Sequence, residues 1–346
     1  MPPTTTTEGP LIKHDKILLA HGSGGTLSHE LVEKKLAGRF ANPILNRFDD
    51  AAAVDFKGRL AFTTDSYVVS PIFFPGGDIG KLAICGTVND LATSGAKPLY
   101  LSLSLIIEEG FPLKELERIT DSIAATAEEA DVAIVTGDTK VVNQGSADKI
   151  FINTAGIGMV PEGTDISGCN AKVGDKIIIS GSLGDHGIAI MAQRDGLSFS
   201  TPVATDCAPL NQLVADILLA TKNVHVLRDP TRGGLATTLN EIAMQSAISI
   251  SIEEDRLPVK EEVRAACELL GLDPLYVANE GKMIVILPPD EAEKALAAMK
   301  NSRYGRDSTI IGEVTEDRVG RVTMKTLIGT NRIVDMLSGE LLPRIC

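Results

Sequence analysis

Several features that place a protein in a class at first sight are missing from this sequence. Its 346 residues include no tryptophan, and aromatic residues make up only 4%, so the cores must consist mainly of aliphatic side chains. No apolar run approaches the roughly 18 residues that a membrane-spanning helix needs. The opening residues, MPPTTTTEGP, contain neither a basic nor an apolar stretch. We therefore expect no signal peptide and a soluble, cytoplasmic protein.

The cysteines also exclude two classes of protein. They are odd in number, widely spaced and free of any CxxC motif: Cys85, Cys169, Cys207, Cys267 and Cys346. This spacing argues against a zinc site and against a disulfide framework, and it is typical of a reducing compartment. Four of them lie in apolar or small-residue stretches, as inert core thiols do. Cys346 is different because it is the last residue of the sequence, where a thiol is open to oxidation.

Positive charge is in short supply. The chain has 46 acidic and 33 basic residues, which gives a formal net charge of -13. Such a balance disfavours non-specific binding to nucleic acid and to anionic membranes. A polyphosphate ligand would therefore need backbone amides, a few well-placed lysines and metal ions.

The length and the segment pattern predict two domains. Strand-like and helix-like stretches alternate between about residues 58 and 160, and again from residue 176 onward. The polar, turn-rich stretch 161–175 separates the halves. Strands mixed with helices in each half predict two α+β domains. In detail, we expect a strand over 132–138, a pair of strands within 276–289 and two short strands after the helix at 290–300.

A glycine-rich segment, HGSGG at residues 21–25, precedes a possible helix. Glycines let backbone amides surround an anion, and a helix start adds a positive field. This segment is not a Walker A loop. The nearest imitation, GGDIGKL at 76–82, has the wrong glycine spacing and no Ser or Thr after its lysine. Taken alone, HGSGG is more typical of an ordinary loop.

Five short polar phrases carry an aspartate at the end of an apolar stretch. They are FDDAAAV (48–54), TTDS (63–66), TVNDLATSGAKP (87–98), TGDTK (136–140) and RDPTRGG (228–234). Mg²⁺ prefers hard oxygen ligands and shares them with phosphate oxygens. Any single aspartate is equally explained as a helix cap or a turn residue. Aspartates that converge from separate strand ends would form a site for magnesium and phosphate, and the set of five predicts one.

These phrases, together with HGSGG, resemble the ATP-binding superfamily of aminoimidazole-ribonucleotide synthetase, selenophosphate synthetase and thiamine-monophosphate kinase. The final residues PRIC (343–346) narrow the resemblance to the HypE family of NiFe-hydrogenase maturation proteins. The resemblance runs from about residue 15 to residue 346. It implies a two-domain PurM-like α+β fold with these parts: a flexible segment (1–16), an ATP-binding and dimerisation domain with a mixed sheet (17–160), a C-terminal α+β domain (161–336) and a mobile tail (337–346).

The resemblance also implies an activity. HypE proteins are ATP-dependent carbamoyl dehydratases that act on their own last cysteine. The carbamoyltransferase HypF loads a carbamoyl group on that thiol, and dehydration turns the S-carboxamide into a thiocyanate. The cyanide then passes to the hydrogenase iron on the HypC–HypD scaffold. The implied cofactors are ATP and Mg²⁺, and the implied assembly is a homodimer. A ten-residue tail reaches roughly 30 Å when extended, far enough to visit several sites.

Site residues follow from the resemblance by position. The implied magnesium and phosphate ligands are Asp50 (or its neighbour Asp49), Asp65, Asp90, Asp138 and Asp229. The implied nucleotide-binding residues also include Gly22, Gly24, Gly25, Asn89 and Thr139. The implied catalytic residues are Cys346 as carrier, Lys140 for phosphate or proton transfer, and Glu280 as general base, aided by Lys282. From the residues alone, Lys140 is equally a surface lysine, and Glu280 is more often a turn carboxylate.

Two other functions fit parts of the sequence. One is a synthetase or kinase of the same fold that acts on a free small molecule, which would have no use for a thiol at residue 346. The other is a docking module whose LPRIC segment is a recognition peptide or a metal ligand. ATP hydrolysis that is coupled to modification of the tail separates the dehydratase from both.

Overall fold

The computed structural model describes residues 15–23, 26–47, 51–194, 203–337 and 344–346. In these ranges the chain is an α+β protein with a four-stranded and a seven-stranded sheet. No helix of the described residues is both long and apolar enough to cross a membrane.

A four-stranded mixed sheet dominates the N-terminal part. Its elements in chain order are α1 (Thr26–Glu30), a π-helical turn (Leu31–Leu36), β1 (Arg59–Tyr67), the short pair β2 (Phe73–Phe74) and β3 (Gly77–Asp78), α2 (Ile79–Thr93), β4 (Lys97–Glu108), α3 (Leu113–Glu129), β5 (Ala133–Val142) and β6 (Ile150–Val160). The strand order is β1-β6-β4-β5, in which β4 and β5 run parallel and the other neighbours antiparallel.

One face of this sheet is covered by helix α2. Every second residue of β6 from Ile150 to Val160 is buried, because side chains alternate between the faces of a strand. Asp78 caps the N-terminus of the helix, because its carboxylate accepts hydrogen bonds from the amides of Gly80 and Lys81. The helix approaches β1 so closely that a Cβ atom at Gly86 would lie 2.3 Å from the Tyr67 hydroxyl oxygen. The opposite face of the sheet is open in the single chain, and Phe62 is 72% exposed there.

The C-terminal part contains the larger sheet. Its elements are β7 (Lys176–Ile179), α4 (Asp185–Arg194), α5 (Asn211–Ala220), β8 (Val226–Arg228), α6 (Gly234–Gln245), β9 (Ser249–Glu253), α7 (Glu261–Leu270), β10 (Ile284–Leu287), α8 (Pro289–Asn301), β11 (Thr309–Thr315), β12 (Val322–Lys325) and β13 (Asn331–Ile333). The order is β13-β12-β9-β11-β7-β10-β8, and only β9 and β12 pair in parallel among these strands.

The two parts share a core and a polar anchor. Ile190, Cys207 and Ala278 of the C-terminal part pack into the N-terminal apolar core. Asn89 on α2 is fully enclosed and bonds to the backbone of residues 208–210, through Nδ2 to the Ala208 carbonyl (3.1 Å) and through Oδ1 to the Leu210 amide (2.7 Å). A buried amide with several bonds fixes how the surrounding segments sit. The predicted nucleotide-binding residue Asn89 thus joins the two parts in this structure.

Three local predictions were wrong. Strand β5 continues to Val142, because it stays paired with β4 as far as Glu108. The segment 276–289 contains the single strand β10, since the residues before it bond to the 206–208 loop and to Pro230 instead of a strand partner. Three short strands follow α8 instead of two.

Candidate active site

Three of the predicted aspartates meet on the helix-covered face of the N-terminal sheet. Asp65 lies on β1 two residues after Thr63, whose hydroxyl donates a 2.9 Å hydrogen bond to Oδ2 of Asp90 on α2. Residues two apart on a strand share a face, so Asp65 also points towards α2. Asp229 directly follows β8 and is close enough to both carboxylates to respond to their charges.

These carboxylates perturb one another. Burial raises the pKa of Asp229 to about 7, and the charge of Asp90 raises it too. Burial likewise raises the pKa of Asp90, with a further contribution from Asp65, while Arg228 and Arg232 act in the opposite direction. Carboxylates that share a buried site resist simultaneous ionisation. The cluster is therefore short of positive charge, as expected where a cation and a phosphate group bind together.

The loop that carries Asp229 is shaped by glycine. Gly234 has a φ of 62°, and a Cβ atom there would lie 2.5 Å from the Leu275 carbonyl oxygen, so no other residue fits. The carbonyl of Pro230 accepts hydrogen bonds from the amide of Asn279 (3.1 Å) and from its Nδ2 (2.9 Å). The DPTRGG loop is thus fastened beside the segment that carries the predicted base.

Glu280 is buried beside this cluster, only 4% exposed. Its amide donates a 3.1 Å hydrogen bond to Oδ1 of Asp206, and its carbonyl accepts one of 3.3 Å from Asn89. A Cβ atom at Gly281 would lie 1.8 Å from the Asp206 carbonyl oxygen, so the two segments are in direct contact. Burial raises the pKa of Glu280 well above its usual value, and the adjacent Cys207 thiol raises it further. A carboxylate of this kind is a strong base once it is ionised.

Lys282 is held away from solvent by Asp206. The Nζ–Oδ2 distance is 3.2 Å, and both side chains are buried. Burial alone would raise the pKa of Asp206, but the charge of Lys282 and the hydrogen bond from the Glu280 amide bring it below its usual value. Lys282 therefore neutralises Asp206 and supports the backbone of Glu280 through it.

Cys346 reaches this site within its own chain. Its main-chain oxygen accepts a 3.2 Å hydrogen bond from the Val68 amide, just beyond β1. Burial raises the pKa of the Cys346 thiol to about 12, and the charges of Glu280 and Asp65 contribute, whereas Arg232 opposes them. The thiol is thus within electrostatic reach of the predicted base. The last three residues are docked, while the rest of the predicted mobile tail, 338–343, lies outside the described residues.

Two predicted residues lie elsewhere. Asp138 and Lys140 belong to the interior of β5, where they form an ion pair of 3.0 Å (Nζ–Oδ1). Asp138 is opposite Ser104 of β4, on the open face of the sheet, and two strands separate β5 from β1. The prediction that Asp138 lies at a strand end and joins the other aspartates is therefore wrong for the single chain. The chain by itself brings neither residue to the cluster of Asp65, Asp90 and Asp229.

A cavity of about 350 Å³ opens at the edge of β5, apart from the cluster. It is lined by Gly22, Thr139 and the apolar side chains of Phe40 and Ile44, among others. This combination of apolar walls with a few polar groups is typical of sites for small planar ligands. A Cβ atom at Gly22 would lie 2.7 Å from the Val141 amide nitrogen, which explains the glycine. Three predicted nucleotide residues, Gly22, Asp138 and Thr139, thus line this cavity, together with the predicted catalytic residue Lys140.

Four predicted residues, Gly24, Gly25, Asp49 and Asp50, lie outside the described residues. Within the described ranges no three His, Cys, Asp or Glu side chains are arranged closely enough to hold a metal ion. Sequence patterns pointed neither to Asp206 nor to His186. Only the neighbourhood of Arg232 was indicated, by the phrase DPTRGG.

Comparisons with known proteins agree with this architecture. The family "AIR synthase related protein, N-terminal domain" matches residues 48–160, and the corresponding C-terminal domain family matches residues 172–325. A protein named carbamoyl dehydratase HypE from Bradyrhizobium diazoefficiens is 54% identical over 337 residues, which are 97% of each chain.

Two solved structures are similar to this chain in both sequence and fold. A HypE crystal structure in complex with ATP superposes with a TM-score of 0.93 at 52% identity and covers 95% of this chain and 99% of that one. A crystal structure of a HypE–HypF complex contains a chain that is 52% identical to this one and superposes with a TM-score of 0.79. The match covers 89% of this chain and 99% of that chain.

Proposed function

This chain belongs to the HypE family of carbamoyl dehydratases, within the AIR synthase related proteins, and we propose that it dehydrates a carbamoyl group on its own Cys346. The proposal assigns it to hydrogenase maturation, with cyanide for the iron as the product. The observation that carries it is the docked Cys346, whose thiol lies in the electrostatic field of Glu280 and Asp65 of the same chain.

The chemistry explains why ATP is needed. A carboxamide oxygen cannot leave as oxide, so the oxygen of the S-carboxamide attacks the γ-phosphorus of ATP, ADP leaves, and the nitrogen gives up one of its two protons to a base. The resulting S–C(=NH)–O–phosphate loses its remaining N–H proton, the C≡N bond forms, and the oxygen departs in inorganic phosphate. The net products are the thiocyanate, ADP, phosphate and a proton. Phosphoryl transfer of this kind depends on positioning and on charge stabilisation.

Glu280 is the base in this scheme. Among the carboxylates around Cys346, Glu280 raises the pKa of the Cys346 thiol most strongly. Burial raises the pKa of Glu280 itself, so its proton affinity is high. Protons leave nitrogen more readily when a strong, desolvated base is in contact with them. Lys282, through its ion pair with Asp206, keeps the segment around Glu280 in place.

ATP is the co-substrate. Asp65, Asp90 and Asp229 are not close enough together to hold a metal ion by themselves, and we propose that they bind Mg²⁺ together with Asp50 and the phosphate oxygens of ATP. Hard oxygen ligands in a cluster that is short of positive charge suit this ion. The ion would neutralise phosphate charge. Gly22 and Thr139 would contact the nucleotide, with Gly24 and Gly25 of the same glycine-rich segment.

A second copy of the chain would cover the open face of the N-terminal sheet. Leu60, Phe62 and Ile106 expose apolar surface there, which is unfavourable in a monomer. Asp138 and Lys140 lie on the same face and would be enclosed in the homodimer. We assign Lys140 to the phosphate of an ATP held at this interface. HypF as carbamoyl donor and the HypC–HypD scaffold as cyanide acceptor complete the proposed partners.

The decisive experiment follows the mass of the C-terminal peptide. Protein loaded with the carbamoyl group and given Mg-ATP should lose the mass of one water at Cys346. The matched variant Cys346→Ala should accept no carbamoyl group and should bind ATP as tightly as the wild type. An unchanged peptide mass at saturating ATP, or carbamoyl loading on another cysteine in the variant, contradicts the proposal.

A further inference from the structure

The C-terminal tripeptide, residues 344–346, docks on the segment 68–70 that follows β1. The Val68 amide donates to the main-chain oxygen of Cys346, and the Ser70 amide donates to the Arg344 carbonyl, each over 3.2 Å. Between these bonds, the Ile345 side chain is 3% exposed and packs in the N-terminal core. The tripeptide therefore occupies a built groove that matches its backbone and one apolar side chain.

Two arginine side chains connect the backbone of the tripeptide to that of the segment 68–70. Arg194 on α4 donates to the Ser70 carbonyl from Nε (3.0 Å) and Nη2 (2.6 Å), and Nη2 also lies 3.0 Å from the Arg344 carbonyl. Arg344 in turn donates from Nε to the Val68 carbonyl (3.0 Å) and pairs with Asp148. These contacts fix residues 344 and 68–70 but leave the carbonyl of the central residue to another group.

His186 on α4 supplies that group. Its Nε2 lies 2.8 Å from the Ile345 carbonyl, and its Nδ1 lies 2.8 Å from the Thr205 hydroxyl. A carbonyl oxygen only accepts, so Nε2 carries the proton. Burial lowers the pKa of His186, so the ring is neutral and Nδ1 accepts from Thr205. The Thr205 hydroxyl then accepts from the Cys207 amide at 3.1 Å.

This chain of bonds leads from the tripeptide to the wall of the active site. Thr205 precedes Asp206, whose carboxylate receives the amide of Glu280. The same loop therefore holds the base on one side and, through His186, the residue before Cys346 on the other. With the tripeptide in place, His186 is fully enclosed, and the Ile345 carbonyl is the acceptor for its Nε2–H.

We propose that His186 is a positioning residue for this reaction. Its Nε2–H donates a hydrogen bond to the Ile345 carbonyl, an interaction that we call the grip, and this bond holds Cys346 close to Glu280. The first half of this inference, the grip, is independent of the proposed function, and the second half rests on it. Since the docked thiol is half-buried, the grip can be measured through the reactivity of Cys346 without any carbamoyl group or ATP.

The experiment compares maleimide labelling rates in the full-length protein, with each cysteine followed by peptide mass spectrometry. Cys169 is exposed and serves as the internal reference. In the wild type, Cys346 should react much more slowly than Cys169. His186→Leu should accelerate labelling of Cys346 about tenfold, the factor expected for about 1.4 kcal/mol of docking energy. His186→Gln, whose Nε2 amide can reach the same carbonyl, should restore protection to within about threefold of the wild type.

Single-turnover dehydration of the loaded protein provides the second measurement. His186→Leu should slow it about tenfold at unchanged ATP affinity, and His186→Gln should recover most of the rate. If His186→Leu does not melt cooperatively, Thr205→Val takes its place, because it removes the hydroxyl that orients the ring; labelling of Cys346 should then rise about threefold.

Labelling of Cys346 that is as slow in His186→Leu and in Thr205→Val as in the wild type would overturn the inference. The inference would also be overturned if Cys346 of His186→Leu is labelled rapidly while the loaded variant dehydrates its carbamoyl group at the wild-type rate. Wild-type protein that protects Cys346 but never dehydrates its carbamoyl group contradicts the proposed function and leaves the grip standing. The two failures are thus distinguishable.

Discussion

The two faces of the N-terminal sheet carry similar sequence phrases in opposite surroundings. On the inner face, TTDS places Asp65 near the half-buried Asp90 and Asp229 and the docked Cys346. On the outer face, TGDTK places Asp138 and Lys140 in an ion pair that is more than half exposed. The inner residues are assembled by one chain, from β1, α2, the DPTRGG loop and the Glu280 segment. The outer pair instead lines the cavity at the edge of β5 with Gly22 and Thr139, apart from the inner cluster.

This difference separates what one chain achieves from what it leaves to a second molecule. Burial and mutual repulsion prepare the inner residues for a cation and for proton transfer, and no partner is needed for that. An exposed lysine beside an exposed aspartate contributes little until something excludes water from it. The inner face is therefore expected to govern the proton steps, and the outer face to act only in the homodimer.

Replacing the base should have the largest effect. Glu280→Gln keeps the size of the side chain and removes its charge, so the dehydration rate should fall by about 10² to 10⁴-fold. Carbamoyl loading of Cys346 and ATP binding should persist, because the backbone bonds of residue 280 to Asp206 and Asn89 are unchanged. Single-turnover mass spectrometry of the loaded C-terminal peptide measures the rate.

A matched control is Glu291→Gln, a carboxylate on the remote helix α8. It should dehydrate at the wild-type rate. Should Glu280→Gln do the same, the proton acceptor has to be sought among the other groups around Cys346, and the contrast between the two faces would lose its chemical meaning.

Removing the cation on the outer face should have a smaller effect. We expect Lys140→Ala to lower the dehydration rate about 100-fold. Mixing variants reveals which chain it serves. If Lys140 completes the site of the second copy, a mixed dimer of Lys140→Ala with Glu280→Gln contains one site with both residues intact. Random exchange between subunits should then restore about a quarter of the wild-type activity.

No recovery on mixing would place Lys140 in the site of its own chain and contradict the division between the faces. Phe62→Asp provides the control, because a charge in the exposed apolar patch should prevent the subunits from pairing. Mixtures that carry this substitution in both chains should show no recovery. Sedimentation should find them monomeric, with the melting temperature of each variant close to that of its parent.

Local patterns were sufficient to predict much of the fold. β-Branched and aromatic content indicated β1, and alternation indicated β4. Apolar spacing predicted helices over 78–96 and 112–130, and the structure has α2 at Ile79–Thr93 and α3 at Leu113–Glu129. The length of β5 could not be predicted, because it is set by parallel pairing with β4, a contact between segments far apart in the sequence. The single strand within 276–289 has the same origin, since residues before it are held by the loop at 206–208.

The candidate site shows the same limit. Aspartates in similar polar phrases suggested one cluster, and three of them, Asp65, Asp90 and Asp229, do meet. Period-2 alternation says that strand residues change faces, but it does not say which face the helices cover. Asp138 was therefore grouped with residues on the other side of the sheet. The grip of His186 on Ile345 had no sequence signal, because an isolated histidine more often has a structural role.

The smallest effect expected is on stability, and it also separates the faces. The pKa of Asp229 is about 7 in the folded chain, above the value of about 4 for an unfolded one. The folded state thus binds this proton more tightly, which stabilises it fully below about pH 4 and no longer above pH 7. Asp229→Asn cannot ionise, so it escapes this loss. Its melting temperature relative to the wild type should rise by about 3 °C between pH 5 and pH 8.

The matched substitution on the outer face is Asp138→Asn, which removes a carboxylate from an exposed ion pair. Exposed pairs contribute little to stability, so its melting temperature relative to the wild type should change by less than about 1 °C over the same pH range. Scanning calorimetry with a chelator present keeps divalent cations from masking the repulsion among the inner carboxylates. Equal pH responses of the two variants would mean that the inner cluster stores no electrostatic strain, and its role as a cation site would lose its physical basis.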